Sequence, residues 1–231
     1  MRMRHKKWAE PELNACCYFE KSPESNKGCW RDRFENRGNP LYVELGCGKG
    51  VFTAEFGRLN RDINLLAIDI KSDVLAVARR NIENLNAQYG TKNSNIILTA
   101  YNVANIDDIL DRSDCIDRIY INFCNPWPKK KHKKRRLTHP NFLNKYKSFL
   151  KPGGEIHFKT DDDELFEESL EYFRESGFEI YDICRDVHAE NVDSNIITEH
   201  EIMFCNEGKP IKRCTAKYIR TDINDVSKEQ A

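Results

Sequence analysis

From Gly38-Asn39-Pro40 onward, short apolar runs alternate with stretches of helical periodicity for about 140 residues, and no other pattern constrains the fold of this chain more. LYVELG (41–46) is a buried-strand pattern ending in glycine. NLLAIDI (64–70), NIILTA (95–100), IDRIYINF (116–123), EIHFKT (155–160) and FEIYDICRD (178–186) repeat the form, and IMFCN (202–206) reads as a seventh strand. Between them, residues 51–60 and 140–150 read as helices. So does the segment from Ser72, where Val74, Ala78, Ile82 and Leu85 recur until Gly90. Leu165, Phe166, Leu170 and Phe173 line another helix face before Gly177. Strand–helix alternation of this kind predicts an α/β fold, a doubly wound parallel sheet of seven strands in one domain.

The domain is expected over residues 39–220. A polar, basic arm with little core of its own precedes it (1–38), and a short tail (221–231) follows. No run of 18 apolar residues exists, which excludes a transmembrane helix. The N-terminus, MRMRHKKWAEPEL, lacks the apolar core of a signal peptide, so a cytoplasmic protein is expected. Nine cysteines lie scattered without Cys-x-x-Cys or paired Cys/His spacing; they read as reduced thiols, and no metal site is expected.

The first strand runs into Glu44-Leu45-Gly46-Cys47-Gly48-Lys49-Gly50. In doubly wound sheets, ligands bind beyond the carboxyl ends of the strands, and glycines let them approach the backbone. A phosphate-binding P-loop requires Ser or Thr after the lysine, and here Gly50 follows Lys49. A dinucleotide fingerprint requires a third glycine where Val51 stands. An acidic residue two places before G-x-G-x-G instead resembles motif I of the S-adenosylmethionine-dependent methyltransferases. A tight turn with incidental glycines is the bland alternative. Against it stands Glu44, because a carboxylate ending an apolar strand needs a partner, and the cofactor's ammonium would be one. Asp69 ends the second strand, where it can accept hydrogen bonds from ribose hydroxyls of this cofactor or of NAD.

With 37 basic and 37 acidic residues the chain is formally neutral, yet from Lys129 to Arg136 every residue except His132 is Lys or Arg. Such a run is commonly a solvated face. Following directly on Asn125-Pro126-Trp127-Pro128 at the end of the fourth strand, it reads better as a clamp for nucleic-acid phosphates. Trp127 could stack on a base or pack under its own loop. Most of the acids at Asp161-Asp162-Asp163-Glu164 and Glu167-Glu168 read as a helix N-terminus and its solvent face. The basic residues Arg2, Arg4, His5, Lys6 and Lys7 could add phosphate contacts or belong to a floppy terminus.

VELGCGKG (43–50), NPWPKKKHKKRR (125–136), KPGG (151–154), KTD (159–161) and TEHE (198–201), with the following G-K-P-I-x-R, together resemble the bacterial tRNA (guanine-N7-)-methyltransferases. These enzymes methylate guanosine 46 in the variable loop of tRNA. The resemblance covers roughly residues 40 to 215 and implies a Rossmann-like, class I methyltransferase sheet. It implies S-adenosylmethionine contacts from Glu44, the loop glycines 46, 48 and 50, Asp69, Asn102 and Asn125. Substrate contacts fall to Lys129, Asp161, Thr198, Glu199, His200 and Glu201, although a lone histidine such as His200 is more often structural. RNA contacts fall to Lys131, His132, Lys133, Lys134, Arg135 and Arg136. Asn102 and Asn125 depart from the family, which commonly has Asp at both places. An amide cannot act as a base, but guanine N7 carries a lone pair and no proton, so an orienting role suffices at Asn125.

A non-catalytic RNA-binding protein on the same scaffold is a rival that cofactor binding would exclude. A nicotinamide-dependent oxidoreductase is a second, and it leaves the basic run unexplained. Monomer and homodimer are equally compatible with the sequence.

Overall fold

The computed structural model describes residues 6–190 and 195–219. Arg2, Arg4, His5 and the tail 221–231 lie outside the described residues. Eight strands form one sheet: β1 (Phe19–Glu20), β2 (Leu41–Leu45), β3 (Asn64–Asp69), β4 (Ile96–Ala100), β5 (Ile116–Asn122), β6 (Leu150–Thr160), β7 (Phe178–Cys184) and β8 (Lys212–Tyr218). Their order is β1-β4-β3-β2-β5-β6-β8-β7. The first six in that order are parallel, and β8 runs antiparallel to both neighbours. The helices are α1 (Ala9–Asn14), α2 (Val51–Leu59), α3 (Ser72–Gln88), α4 (Pro140–Tyr146), α5 (Asp163–Glu175) and α6 (Glu199–Asn206).

The central strands are nearly continuous apolar runs because both sheet faces are covered. Leu41, Val43 and Leu45 of β2 join the large core that includes Leu143 and Tyr146 of α4 and Leu165, Phe166 and Phe173 of α5. Leu75, Ala78 and Ile82 of α3 pack a second core with Ala67 and Leu98. The sheet reverses its winding at β2, which sits between β3 and β5. The ends of these strands therefore open the crevice that a doubly wound fold offers a ligand.

Two expectations need correction. IMFCN (202–206) is helical, part of α6, and the corresponding strand is β8. A short continuous apolar run does not separate helix from strand by periodicity. The deciding signal is local: Thr198 and Glu201 form a reciprocal capping box, and Gly208 leaves the helix at φ 71°. The segment before residue 38 also carries core. Ala9 and Leu13 of α1 are buried in the α3 cluster, and β1 adds the eighth strand beside β4. Trp30 is fully buried in the large core, and its Nε1 donates to the Ile109 carbonyl at 2.7 Å. The Asp114 carboxylate fastens the same segment by accepting from the backbone N–H of Gly28 and Trp30.

Candidate active site

The glycine loop is tied to its neighbour strand before any ligand arrives. Gly46 and Cys47 donate backbone N–H bonds to the Ile68 carbonyl at 2.8 and 3.0 Å. Asp69 accepts from the N–H of Gly48 at 3.0 Å with one oxygen and from that of Lys71 at 2.9 Å with the other. The three glycines divide the work. A Cβ on Gly46 or Gly48 would meet nothing within 4 Å, leaving an open cradle of backbone. A Cβ on Gly50 would lie 2.6 Å from that of Ala78, so Gly50 is what lets α2 pack on α3.

Glu44 is 2% exposed, and its partner in the structure is Thr53 of α2, whose hydroxyl donates at 2.6 Å. Burial pushes the Glu44 carboxyl up to about 7 against the opposing pull of the Thr53 hydroxyl and the Asn122 amide. The open backbone at Gly46 and Gly48, the Asp69 oxygens and a buried carboxylate beneath them fit S-adenosylmethionine.

Beyond β5 the backbone is strained. Phe123 (φ 51°) and Trp127 (φ 43°) occupy the left-handed region, which bulky residues rarely enter and which concentrates at functional sites. Asn125 is exposed, and its side-chain oxygen accepts from the Trp127 N–H at 3.0 Å. Asn102 does the same for Ala104 at 3.0 Å, capping the short 3-10 turn that follows β4. An oxygen accepting a backbone N–H is a task that Asn and Asp share, so either residue type serves at these two turns. Trp127 packs on its own chain, 5.7 Å from the His132 ring and 5.2 Å from the Arg135 guanidinium.

The basic run forms a 3-10 helix over Lys130–Arg135 and splits into two populations. Lys129, Lys130, Lys131, Lys134 and Arg135 are exposed. Lys133 turns toward α5, pairing with Glu164 at 2.8 Å and with Glu168. Arg136, expected at the RNA, is 1% exposed, and its guanidinium engages Glu164, Glu168 and the Pro126 carbonyl. Glu164 and Glu168 keep the solvent exposure expected of them and are also ion-pair partners of the basic run.

At the end of β6, burial raises the Asp161 carboxyl above the ordinary range. T-E-H-E splits as well. Thr198 and Glu201 point inward as the capping box, while Glu199 and His200 are exposed. Glu199 pairs with Lys49 of the glycine loop at 2.6 Å, and the His200 ring stacks on Phe123 at 5.9 Å. The tertiary fold therefore brings Gly46, Gly48, Asp69, Asn102, Asn125 and Asp161 to the carboxyl ends of adjacent parallel strands, with α6 docked across them. Sequence reasoning overlooked Thr53 and Lys49; nothing local marks either as a partner of residues 9 and 150 positions away.

Comparison with known proteins agrees with this geometry. A family model described as "Putative methyltransferase" matches residues 38–214. A tRNA (guanine-N(7)-)-methyltransferase of Clostridium perfringens (strain SM101 / Type A) is 57% identical, over 94% of this chain and 99% of its own. Another protein of that name, from Acetivibrio thermocellus, is 50% identical, over 92% and 97%. Among solved structures, an antibiotic-related methyltransferase superposes with a TM-score of 0.56 at 13% identity, covering 79% of this chain and 88% of that one. The 16S rRNA methyltransferase KamB gives 0.56 at 10% identity, covering 79% and 89%. The structural likenesses show the class I methyltransferase fold alone. Identity of 50–57% across nearly the full length of both chains shows more: this chain belongs to the tRNA (guanine-N7-)-methyltransferase family.

Proposed function

We propose that this protein transfers a methyl group from S-adenosyl-L-methionine to N7 of guanosine 46 in the variable loop of tRNA, by direct in-line displacement. The observation that carries the reading is the convergence of the open glycine cradle, the strained Asn125 loop and Asp161 at one end of the sheet, flanked by exposed cations. The names of the relatives support the substrate and the acceptor atom, and the motif resemblance supports position 46.

S-adenosylmethionine supplies an electrophilic methyl on a sulfonium; as the N7 lone pair forms the new N–C bond, the S–C bond breaks and its electron pair stays on sulfur. No residue has to remove a proton from N7, so the site needs positioning above all. Two acceptor positions on the Asp69 carboxylate are filled by backbone N–H, leaving about two for ribose hydroxyls. Asn125 keeps its amide N–H groups for the cofactor or the base while its oxygen shapes the loop. Asp161, Glu199, His200 and Lys129 border the space for the nucleoside. Lys131, His132, Lys134 and Arg135 take phosphates, which position the RNA without reading its sequence.

Incubation with methyl-labelled cofactor and bulk tRNA, followed by nucleoside mapping, is expected to place the label as 7-methylguanosine at position 46. A tRNA bearing 7-deazaguanosine there should bind and accept no methyl. Label at that nucleoside in the 7-deaza substrate overturns N7 as the acceptor.

A further inference from the structure

Lys159, the penultimate residue of β6, is 8% exposed, and its ammonium has three N–H groups to place. All three find acceptors: Glu201 Oε2 at 3.0 Å, the Ile196 carbonyl at 3.2 Å and the Asn195 side-chain oxygen. Glu201 is fully buried. Its Oε2 takes Lys159 and the backbone N–H of Thr198 at 3.4 Å; its Oε1 takes the Asn195 amide and lies 3.1 Å from His188 Nε2. A carboxylate offers about four acceptor positions; three take donors from within the protein, and His188 lies against the remaining one. Thr198 is engaged too, its hydroxyl accepting from the Glu201 N–H at 3.1 Å.

We propose that Lys159 is a positioning residue that acts through Glu201 to seat α6 over the reacting end of the sheet, and that Glu201 reads no base. The proposal rests on the methyl-transfer reading of this site. Lys159 touches both halves of the machinery. Its ammonium holds the segment that carries Glu199 and His200. Its carbonyl accepts the Phe123 N–H at 2.8 Å, two residues before Asn125. The Phe123 ring in turn carries His200. Buried charges persist only when paired, so this ion pair admits one register of α6 against β6. Desolvation draws the Lys159 ammonium below its ordinary pKa, with Glu201 opposing, as expected for a cation kept inside by its partner.

The test uses Lys159→Met, Glu201→Gln and the double variant; Gln at 201 preserves the capping box. Each single change strands a buried charge, whereas the double change strands none. Lys159→Met is expected to lower kcat on tRNA by about 10²-fold, the effect of roughly 1 Å of misplacement, with S-adenosylmethionine affinity within about twofold of wild type. The double variant should recover at least tenfold over Lys159→Met. Amide hydrogen exchange across 199–206 should be fast in Lys159→Met and slow again in the double variant, an outcome read without catalysis. A base-reading Glu201 predicts the opposite, with the double variant no more active than either single one, and that result overturns the proposal. Wild-type kcat in Lys159→Met overturns it equally. If Lys159→Met does not fold, the double variant decides: activity within about tenfold of wild type supports the proposal, and a loss of 10²-fold or more removes it. A wild-type protein that methylates no tRNA defeats the functional reading, while the exchange experiment still judges the seating of α6.

Discussion

Arg136 donates its Nε–H to the Pro126 carbonyl at 2.6 Å, so the last cation of the basic run holds the backbone of the loop that carries Asn125. The same guanidinium pairs with Glu164 and Glu168 on α5. Arg136→Met should therefore destabilise the fold. Removing one partner of a buried pair costs about 3–5 kcal/mol. Glu164 and Glu168 stay partly in water, so roughly 2–3 kcal/mol is expected here, read as a lower urea midpoint.

The exposed cations should behave in the opposite way. Replacing Lys131, Lys134 and Arg135 with Ala is expected to leave the urea midpoint nearly unchanged and to weaken tRNA binding. Each lost phosphate contact lowers the log–log salt slope by about 0.7–0.9, so the triple variant should lose roughly 2–3. Cofactor affinity should not move. A slope equal to wild type would mean that these side chains face only solvent.

Glu44 predicts a pH dependence of stability. Its carboxyl ordinarily titrates at 4.5 and here near 7, so between those values the folded chain keeps a proton that the unfolded chain has released. Stability from this group is full below pH 4.5, falls as pH rises to about 7 and is level above. At ~1.36 kcal/mol per pH unit the penalty at pH 8 is roughly 3 kcal/mol. Glu44→Gln should remove it, raising Tm of the ligand-free protein at pH 8 and hardly at pH 4. The same variant should bind S-adenosylmethionine about tenfold or more weakly, because it loses a charged partner. A Tm difference that does not change with pH would rule out the buried-carboxyl account.

Asn125 separates orientation from proton transfer. Asn125→Asp retains an oxygen for the Trp127 N–H and should stay active, with no new acid limb from a general base in its pH–rate profile. Asn125→Ala releases the turn and should lose kcat by on the order of 10²-fold, more than it loses tRNA affinity. A loss of tRNA affinity with kcat unchanged in the Ala variant would assign the residue to binding alone.

The amino-acid sequence by itself determined the parts whose signal is local. Apolar runs of strand length, helical periodicity and the glycines after β2 each lie within a few residues, and they specified an α/β sheet and most of its strands. The motifs 43–50 and 125–136 likewise pointed to the family. Even the misread strand at 202–206 had a local remedy in the Thr198/Glu201 capping box. The tertiary structure alone decided which charges stay exposed and which hold the protein together. Arg136 and Arg135 are neighbours of the same chemistry, yet one is buried against α5 and the other exposed, because their partners were chosen by how β5 and α5 come together. Lys159 meets Glu201 across 42 residues, and the Trp30 indole meets the Ile109 carbonyl across 79. A charge or an indole carries no mark in the sequence of the partner that will satisfy it. That pairing is set by topology, and the desolvation of the buried group then makes it obligatory.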